Sequence, residues 1–298
     1  MPVDMFLMYD RSQSMADPAG SGTRWDAART AVGAFVSDPK ATGVGVGIQF
    51  FPLGGVAPDS CTAPYSTADV PITLLPGAAK GILDAIDRNA PIAFTPTGPA
   101  LAGAIAHMKA WAPAHPGRAP VVVLVTDGFP TECEPRQVAD IAAIAKAAFE
   151  TDPPVRTHVV GFGDGLGILS QIAEAGGGEL FLMDENNDVT AQFVDAMLSV
   201  AGMPLRCEFL LPAPPTPTET LDPDLIQVIY TSSATNVREQ VPKLNQLGDC
   251  QLNGGKGWYY DDNLNPTKIS VCDGTCDAFR AGIASIGYGC SAVRGRVE

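Results

Sequence analysis

Positive charge and histidine are both scarce in this chain. Against 33 Asp and Glu there are 19 Lys and Arg, leaving a formal net charge of −14, and only three histidines occur in 298 residues. Nucleic-acid binding needs clustered Lys and Arg facing phosphates, so a nucleic-acid partner is excluded. An acid surplus suits a protein that attracts cations instead. Charged residues of all kinds make up 17% and hydrophobic ones 46%, a balance that excludes disorder and provides for a substantial core.

Long apolar runs are missing as well. None approaches the roughly 18 residues of a membrane span. No signal-peptide pattern precedes Val3, where the first strand-like run begins. That start fits a chain trimmed from a longer precursor at least as well as a cytosolic protein.

The usual catalytic signatures are absent too. There is no GxSxG elbow and no phosphate-binding loop, and a serine nucleophile needs a base within hydrogen-bond reach. His107 falls in a predicted helix, His115 in a Pro-rich turn and His158 inside a predicted strand, so structural roles suit all three. "GFGDGLG" (161–167) lacks the third glycine of a dinucleotide fingerprint and follows the fifth predicted strand rather than the first, which makes it a tight turn. No internal repeat is visible.

What is present, up to about residue 202, is alternation of strand and helix patterns. "VDMFLMYD" (3–10), "GVGVGIQFF" (43–51), "APVVVLVTDG" (119–128), "VRTHVVGFG" (155–163) and "ELFLMD" (179–184) are apolar runs of strand length. "DVPITLL" (69–75) is weaker, and its Pro71 places it at a sheet edge. Between these runs lie helical spacings. One carries Trp25, Ala28, Val32, Phe35 and Val36, and others carry Ile82 and Ile86, Leu101 to Met108, Val138 to Ala148, Leu169 to Ala173 and Phe193 to Leu198.

Near-continuous apolar strands separated by amphipathic helices predict an α/β fold with a mainly parallel, doubly wound sheet. In such sheets ligands bind beyond the carboxyl ends of the strands. After a boundary near residue 203, a Pro/Thr-rich connection (211–224) leads to short strand patterns at 225–233, 257–261, 268–272 and 281–290. The predicted organisation is residues 1–203 as the α/β domain and 204–298 as a small, Cys-rich, mostly β module.

At predicted turns that lead into helices sit Asp10, Ser12, Ser14, Thr95 and Asp127, all short oxygen-bearing side chains. Oxygen-only ligation with few charges is what a hard divalent cation such as Mg²⁺ takes, with Mn²⁺ or Ca²⁺ as alternatives. An ion held largely by hydroxyls keeps much of its positive charge, so an outside carboxylate is able to complete its shell. A phosphotransferase using Asp10 as nucleophile would usually want a second acid two residues on, where Ser12 stands.

"DRSQSM", "TPTGPAL" and "LVTDG" resemble, in order and context, the three metal-site segments of the von Willebrand factor A family. "VVGFG" and "LSQIAEAGGGELF" are similar to its later strand and helix–strand segments, and the resemblance covers about residues 3 to 202. A lone DxSxS carries little weight, because Asp and Ser are ordinary turn and cap residues. Three segments in order are specific.

The resemblance implies a Rossmann-like sheet with a metal-ion-dependent adhesion site. Ser12 and Ser14 would be direct hydroxyl ligands and Thr95 a third when a partner is bound. Asp10 and Asp127 would bind directly or through waters. Gln13 stands where the family usually has a small residue and Arg11 is bulky and basic; both bear on partner preference rather than on the metal.

Five of the seven cysteines (Cys61, Cys133, Cys207, Cys250, Cys272, Cys276 and Cys290) lie in the last third. That density favours disulfides in an oxidising compartment. A four-thiolate zinc site lacks the short paired arms it usually has. Cys61 and Cys133 both fall in loops near the proposed metal face and are expected to pair, as are Cys207 and Cys290, leaving one internal bridge among Cys250, Cys272 and Cys276. "CEFLLP", "GWYYDD" and "CDGTC…YGC" together resemble the tails of myxobacterial-type A-domain surface lipoproteins.

The expected function is non-enzymatic, Mg²⁺-dependent binding of a protein or glycan that offers a carboxylate, in an extracellular, periplasmic or cell-surface setting. The alternatives are a metal-independent A-domain scaffold for complex assembly and, from another class, a metal-assisted hydrolase.

Overall fold

The computed structural model describes residues 2–202, 208–211, 223–232, 238–264, 266–279 and 282–288. The chain divides into two compact units, Met1–Met203 and Pro204–Glu298.

In the first unit the strands are β1 (Val3–Asp10), β2 (Gly45–Phe51), β3 (Val70–Leu74), β4 (Ala119–Thr126), β5 (Arg156–Phe162) and β6 (Gly177–Met183). The main helices are α1 (Arg24–Val36), α2 (Ala79–Arg88), α3 (Thr97–Trp111), α4 (Val138–Phe149), α5 (Ser170–Ala175) and α6 (Val189–Val200). The sheet order is β3-β2-β1-β4-β5-β6. All pairings are parallel except β2 with β3. The Pro71 strand is therefore at the edge, where a residue without an N–H interrupts no second ladder.

The expected strands and helices are all found. The segment after "GFGDG" differs in detail: it forms a tight helical turn, Leu166–Leu169, before the short α5.

Every residue of β1 is buried, as befits a central strand covered on both faces. Its alternate side chains serve two cores. Met5, Leu7 and Tyr9 pack with Val32 and Phe35 of α1, Ile82 and Ile86 of α2, and Phe193 and Met197 of α6. Phe6 and Met8 pack on the other face with Leu101 and Met108 of α3, Ile141 of α4 and Ile172 of α5. Gly47 allows β3 to approach β2, since a Cβ there would lie 2.9 Å from the Ile72 nitrogen. With both faces filled, only the strand ends remain for chemistry.

Three histidines were expected to be structural, and their contacts agree. His158 is buried and its Nδ1 accepts from the Glu179 N–H (3.1 Å). His107 Nδ1 lies 2.9 Å from the Ser66 carbonyl, and His115 Nδ1 lies 3.0 Å from that of Trp111.

In the second unit, strands Ile226–Ser232, Arg238–Val241 and Gly282–Tyr288 form one antiparallel sheet, and Glu208–Leu210, Trp258–Tyr260 and Lys268–Val271 form another. Trp258 and Tyr260 bury into a core with Ile226, Val228, Ile269 and Val271, so "GWYYDD" builds this core. The bridge left open among three cysteines is Cys250–Cys272, and Cys276 is also disulfide-bonded. That bond of Cys276 corrects the expected Cys207–Cys290 bridge, which would leave it no partner once Cys61–Cys133 and Cys250–Cys272 are paired; most of the Pro/Thr-rich connection lies outside the described residues.

Candidate metal centre

Asp10 is the last residue of β1, on the strand that lies between β2 and β4. The chain turns there because Asp10 Oδ1 accepts from the backbone N–H of Ser12 (2.7 Å), the local bond that makes Asp a turn residue. The short helical turn Gln13–Ala16 follows. Backbone bonds secure the loop on both sides: Arg11 N donates to the Phe51 carbonyl (2.7 Å), Ile92 N to that of Arg11 (2.7 Å), and Gln13 N to that of Ala93 (3.1 Å). The Arg11 side chain points into this framework, donating to the Pro52 carbonyl (2.9 Å) and to Asn89 Oδ1 (2.5 Å). Arg11 is thus a loop staple, whereas Gln13 is exposed.

Hydroxyls bond both predicted carboxylates. Ser12 Oγ lies 3.1 Å from Ser14 Oγ, Ser14 Oγ donates to Asp127 Oδ1 (2.8 Å), and Thr126 Oγ1 donates to Asp10 Oδ2 (2.5 Å). Thr95 reaches this edge on the loop before α3. Its N–H donates to Thr131 Oγ1 (2.9 Å) and its carbonyl accepts from Thr131 N (3.1 Å). The structure therefore joins Ser12, Ser14 and Asp127 through side chains, holds Asp10 by the Ser12 N–H and the Thr126 hydroxyl, and ties Thr95 to the loop leaving Asp127.

That loop is itself anchored by the Cys61–Cys133 disulfide, as expected from sequence, and by Glu132, which accepts from Ser60 Oγ (2.6 Å) and Ala57 N (2.8 Å).

Burial dominates the electrostatics of both carboxyls. Asp10 is fully buried, and its carboxyl is pushed up to about 7, first by desolvation and further by the charge of Asp127, against the lowering bonds from Thr126 and Ser12. Burial also raises Asp127, opposed by Ser14 and Arg24. Two desolvated carboxylates beside two hydroxyls fit a hard divalent ion. The oxygen spacing fits as well: adjacent ligands of an octahedron with 2.0–2.1 Å metal–oxygen bonds are about 3 Å apart, close to the 3.1 and 2.8 Å found here. Among the described residues no three His, Cys, Asp or Glu side chains form a metal cluster. The candidate donor set is accordingly hydroxyl-rich.

Sequence reasoning missed Thr126, Thr131, Arg24 and Glu185. Thr126 had a signal, being the hydroxyl residue before Asp127 at a buried strand end. Arg24 is a half-buried cation whose Nη1 lies 3.3 Å from Asp127 Oδ2. Phe94 and Phe129, each within two residues of a candidate donor, are 54% and 45% exposed.

Comparison with family models and with curated proteins gives no match. Among solved structures, the pilus adhesin SpaC from Lactobacillus rhamnosus GG is similar over 91% of this chain and 37% of its own, at 15% identity and a TM-score of 0.50. A von Willebrand factor type A structure from Catenulispora acidiphila matches over 91% of this chain and 54% of its own, with 15% identity and a TM-score of 0.47. The manganese-loaded TRAP protein of Plasmodium vivax matches over 65% and 73%, with 16% identity and a TM-score of 0.41. At these identities a likeness speaks for architecture alone, and the architecture of the first unit is a Rossmann-like, doubly wound α/β sheet of order β3-β2-β1-β4-β5-β6.

Proposed function

We propose that this chain is a binding protein of von Willebrand factor A type, which captures a protein or glycan through an acidic group when a divalent cation, Mg²⁺ or Mn²⁺, occupies the strand-end cup. Asp10, Ser12, Ser14, Thr95 and Asp127 would hold the ion. The observation that carries this reading is the oxygen chain Ser12–Ser14–Asp127 beside the fully buried Asp10. When bound, the ion supplies an electrophilic centre with an affinity for carboxylate oxygen.

The protein's own residues supply the rest. Ser12 and Ser14 offer neutral oxygens, so the cup neutralises less of the ion's charge than a carboxylate cage would. This matters for a chain of net charge −14, which otherwise repels an acidic partner. Phe94 and Phe129 stand exposed beside the cup, and exposed aromatics next to a polar anchor favour a protein partner. The Cys61–Cys133 and Cys250–Cys272 bridges favour an oxidising setting outside the cytoplasm. Among the described residues no helix is long and apolar enough to cross a membrane. A hydrolase would need a base at Ser12 or Ser14, and each histidine directs Nδ1 to a backbone group elsewhere.

Isothermal titration with MnCl2 and MgCl2 tests the reading on wild type, Asp10→Ala and Asp127→Ala. Wild type is expected to bind one ion, with affinity lowered at least tenfold in each variant. Equal heats in all three proteins would refute the site and leave the scaffold reading standing.

A further inference from the structure

Arg24 is the first residue of α1. A cation there faces the positive end of the helix dipole, an unfavourable place for it. The helix already has its own cap, since Thr23 Oγ1 accepts from Asp26 N (3.1 Å) and Asp26 Oδ2 accepts from Thr23 N (3.0 Å). Arg24 thus contributes nothing to capping, and its side chain points away to the cup.

Its guanidinium gathers segments from four places in the chain. Nη1 donates to Asp127 Oδ2 at 3.3 Å, after β4, and lies 3.7 Å from Asp17 Oδ2 in the loop after β1. Nε donates to Glu185 Oε1 at 2.8 Å, after β6. At the end of β5 it lies against Gly163, where a Cβ would come within 2.8 Å of Nη2, and where the backbone is also left-handed (φ +100°). "GFGDG", a tight turn by sequence, and the loop after β6 meet on this one side chain. The capping of α6 falls to Asp188, which accepts from Ala191 N (3.0 Å), leaving Glu185 free for Arg24.

The two oxygens of Asp127 are divided. Oδ1 takes the hydroxyl of Ser14 (2.8 Å) and faces the candidate donors, while Oδ2 takes Arg24. We propose that Arg24 is a built-in counter-ion of the cation cup, a positioning residue that fixes Asp127 through Oδ2 and weakens the hold on a divalent ion. The inference rests on the cation-cup reading. Arg24 makes an empty cup tolerable by pairing a buried carboxylate that would otherwise lack a positive neighbour. It also places one positive charge close to any ion bound through Oδ1, which opposes that ion.

These two actions have opposite signs, and that makes them separable. In Arg24→Gln, the metal-free protein is expected to melt lower than wild type in EDTA, while Mn²⁺ binds roughly tenfold tighter by titration calorimetry. The Mn²⁺-induced rise in melting temperature should grow accordingly. Arg24→Lys, which keeps the charge, is expected to return the Mn²⁺ affinity to within a few-fold of wild type. A merely structural arginine would lower both melting temperatures and leave affinity unchanged or weaker, and that result would overturn the proposal. If neither wild type nor Arg24→Gln takes up Mn²⁺, the cup itself is refuted and the counter-ion role falls with it. Binding by wild type without the gain in Arg24→Gln refutes the counter-ion alone.

Discussion

Replacing His158 with Gln should remove a large part of the acid instability of the first unit. The imidazole lies inside β5, and its Nδ1 accepts a hydrogen bond from the backbone N–H of Glu179 in β6 (3.1 Å). The ring proton therefore sits on Nε2, and a second proton on Nδ1 would break that bond. Burial, and secondarily the charge of Arg156, press the imidazole down from 6.5 to about 4. The folded state thus prefers the neutral ring. Above about pH 6.5 this contribution to stability is fully present, and it is lost as pH falls towards 4, because the unfolded chain gains the proton first. The difference between the two pKa values amounts to about 2 kcal/mol by pH 5 and about 3 kcal/mol by pH 4. Other titrating groups contribute to the same acid limb, so the test is a difference. Urea denaturation of wild type and His158→Gln is compared at intervals from pH 7.5 to 4. Gln retains an oxygen able to accept from Glu179 N but does not titrate, and its curve should fall less steeply by that amount. If the two curves fall in parallel across this range, the buried neutral imidazole is refuted.

Two further perturbations separate fold from site. The Cys61–Cys133 bridge spans 72 residues, and in the chain-entropy model closing such a loop is worth about 4 kcal/mol. Cys61→Ala/Cys133→Ala is expected to lose stability of that order in guanidinium titration; a loss under about 1 kcal/mol would show that Glu132 and its bonds to Ser60 and Ala57 suffice. At the opposite end of β1, buried Asp4 accepts from Arg118 Nε (2.6 Å) and Trp111 Nε1 (2.8 Å). Asp4→Ala leaves both donors without that partner and should cost about 3 kcal/mol. Cation affinity, measured by the same calorimetry, should be unchanged, and a parallel loss of affinity would contradict the separation of the two strand ends.

Much of the fold was readable because one physical quantity controls it. A strand covered on both faces must be apolar at every position, so "VDMFLMYD" and "APVVVLVT" announced themselves, and Pro71 marked the edge by its missing N–H. The candidate donors were readable for a related reason: in a parallel sheet the carboxyl ends of neighbouring strands open on one side, so oxygen-bearing residues at those ends converge. The bonds among the donors were not readable. Thr126 reaches Asp10 across 116 residues and Thr131 holds Thr95 across 36, and pairings at such separations depend on register, which periodicity leaves open. Arg11 illustrates the same point. Its bulk at the loop suggested a role in partner choice, but its bonds to Pro52 and Asn89 turn it inward.

Arg24 marks the boundary between the two kinds of information. By itself the sequence determined the α/β alternation, the burial of β1 and the presence of carboxylates and hydroxyls at three strand ends, because hydrophobic periodicity and short turn residues act locally. Only the tertiary structure decided which charge neighbours which carboxylate. Coulomb interactions follow distance in space and not along the chain, so a cation at the start of α1 and an acid beyond β4 become partners only once the sheet is assembled.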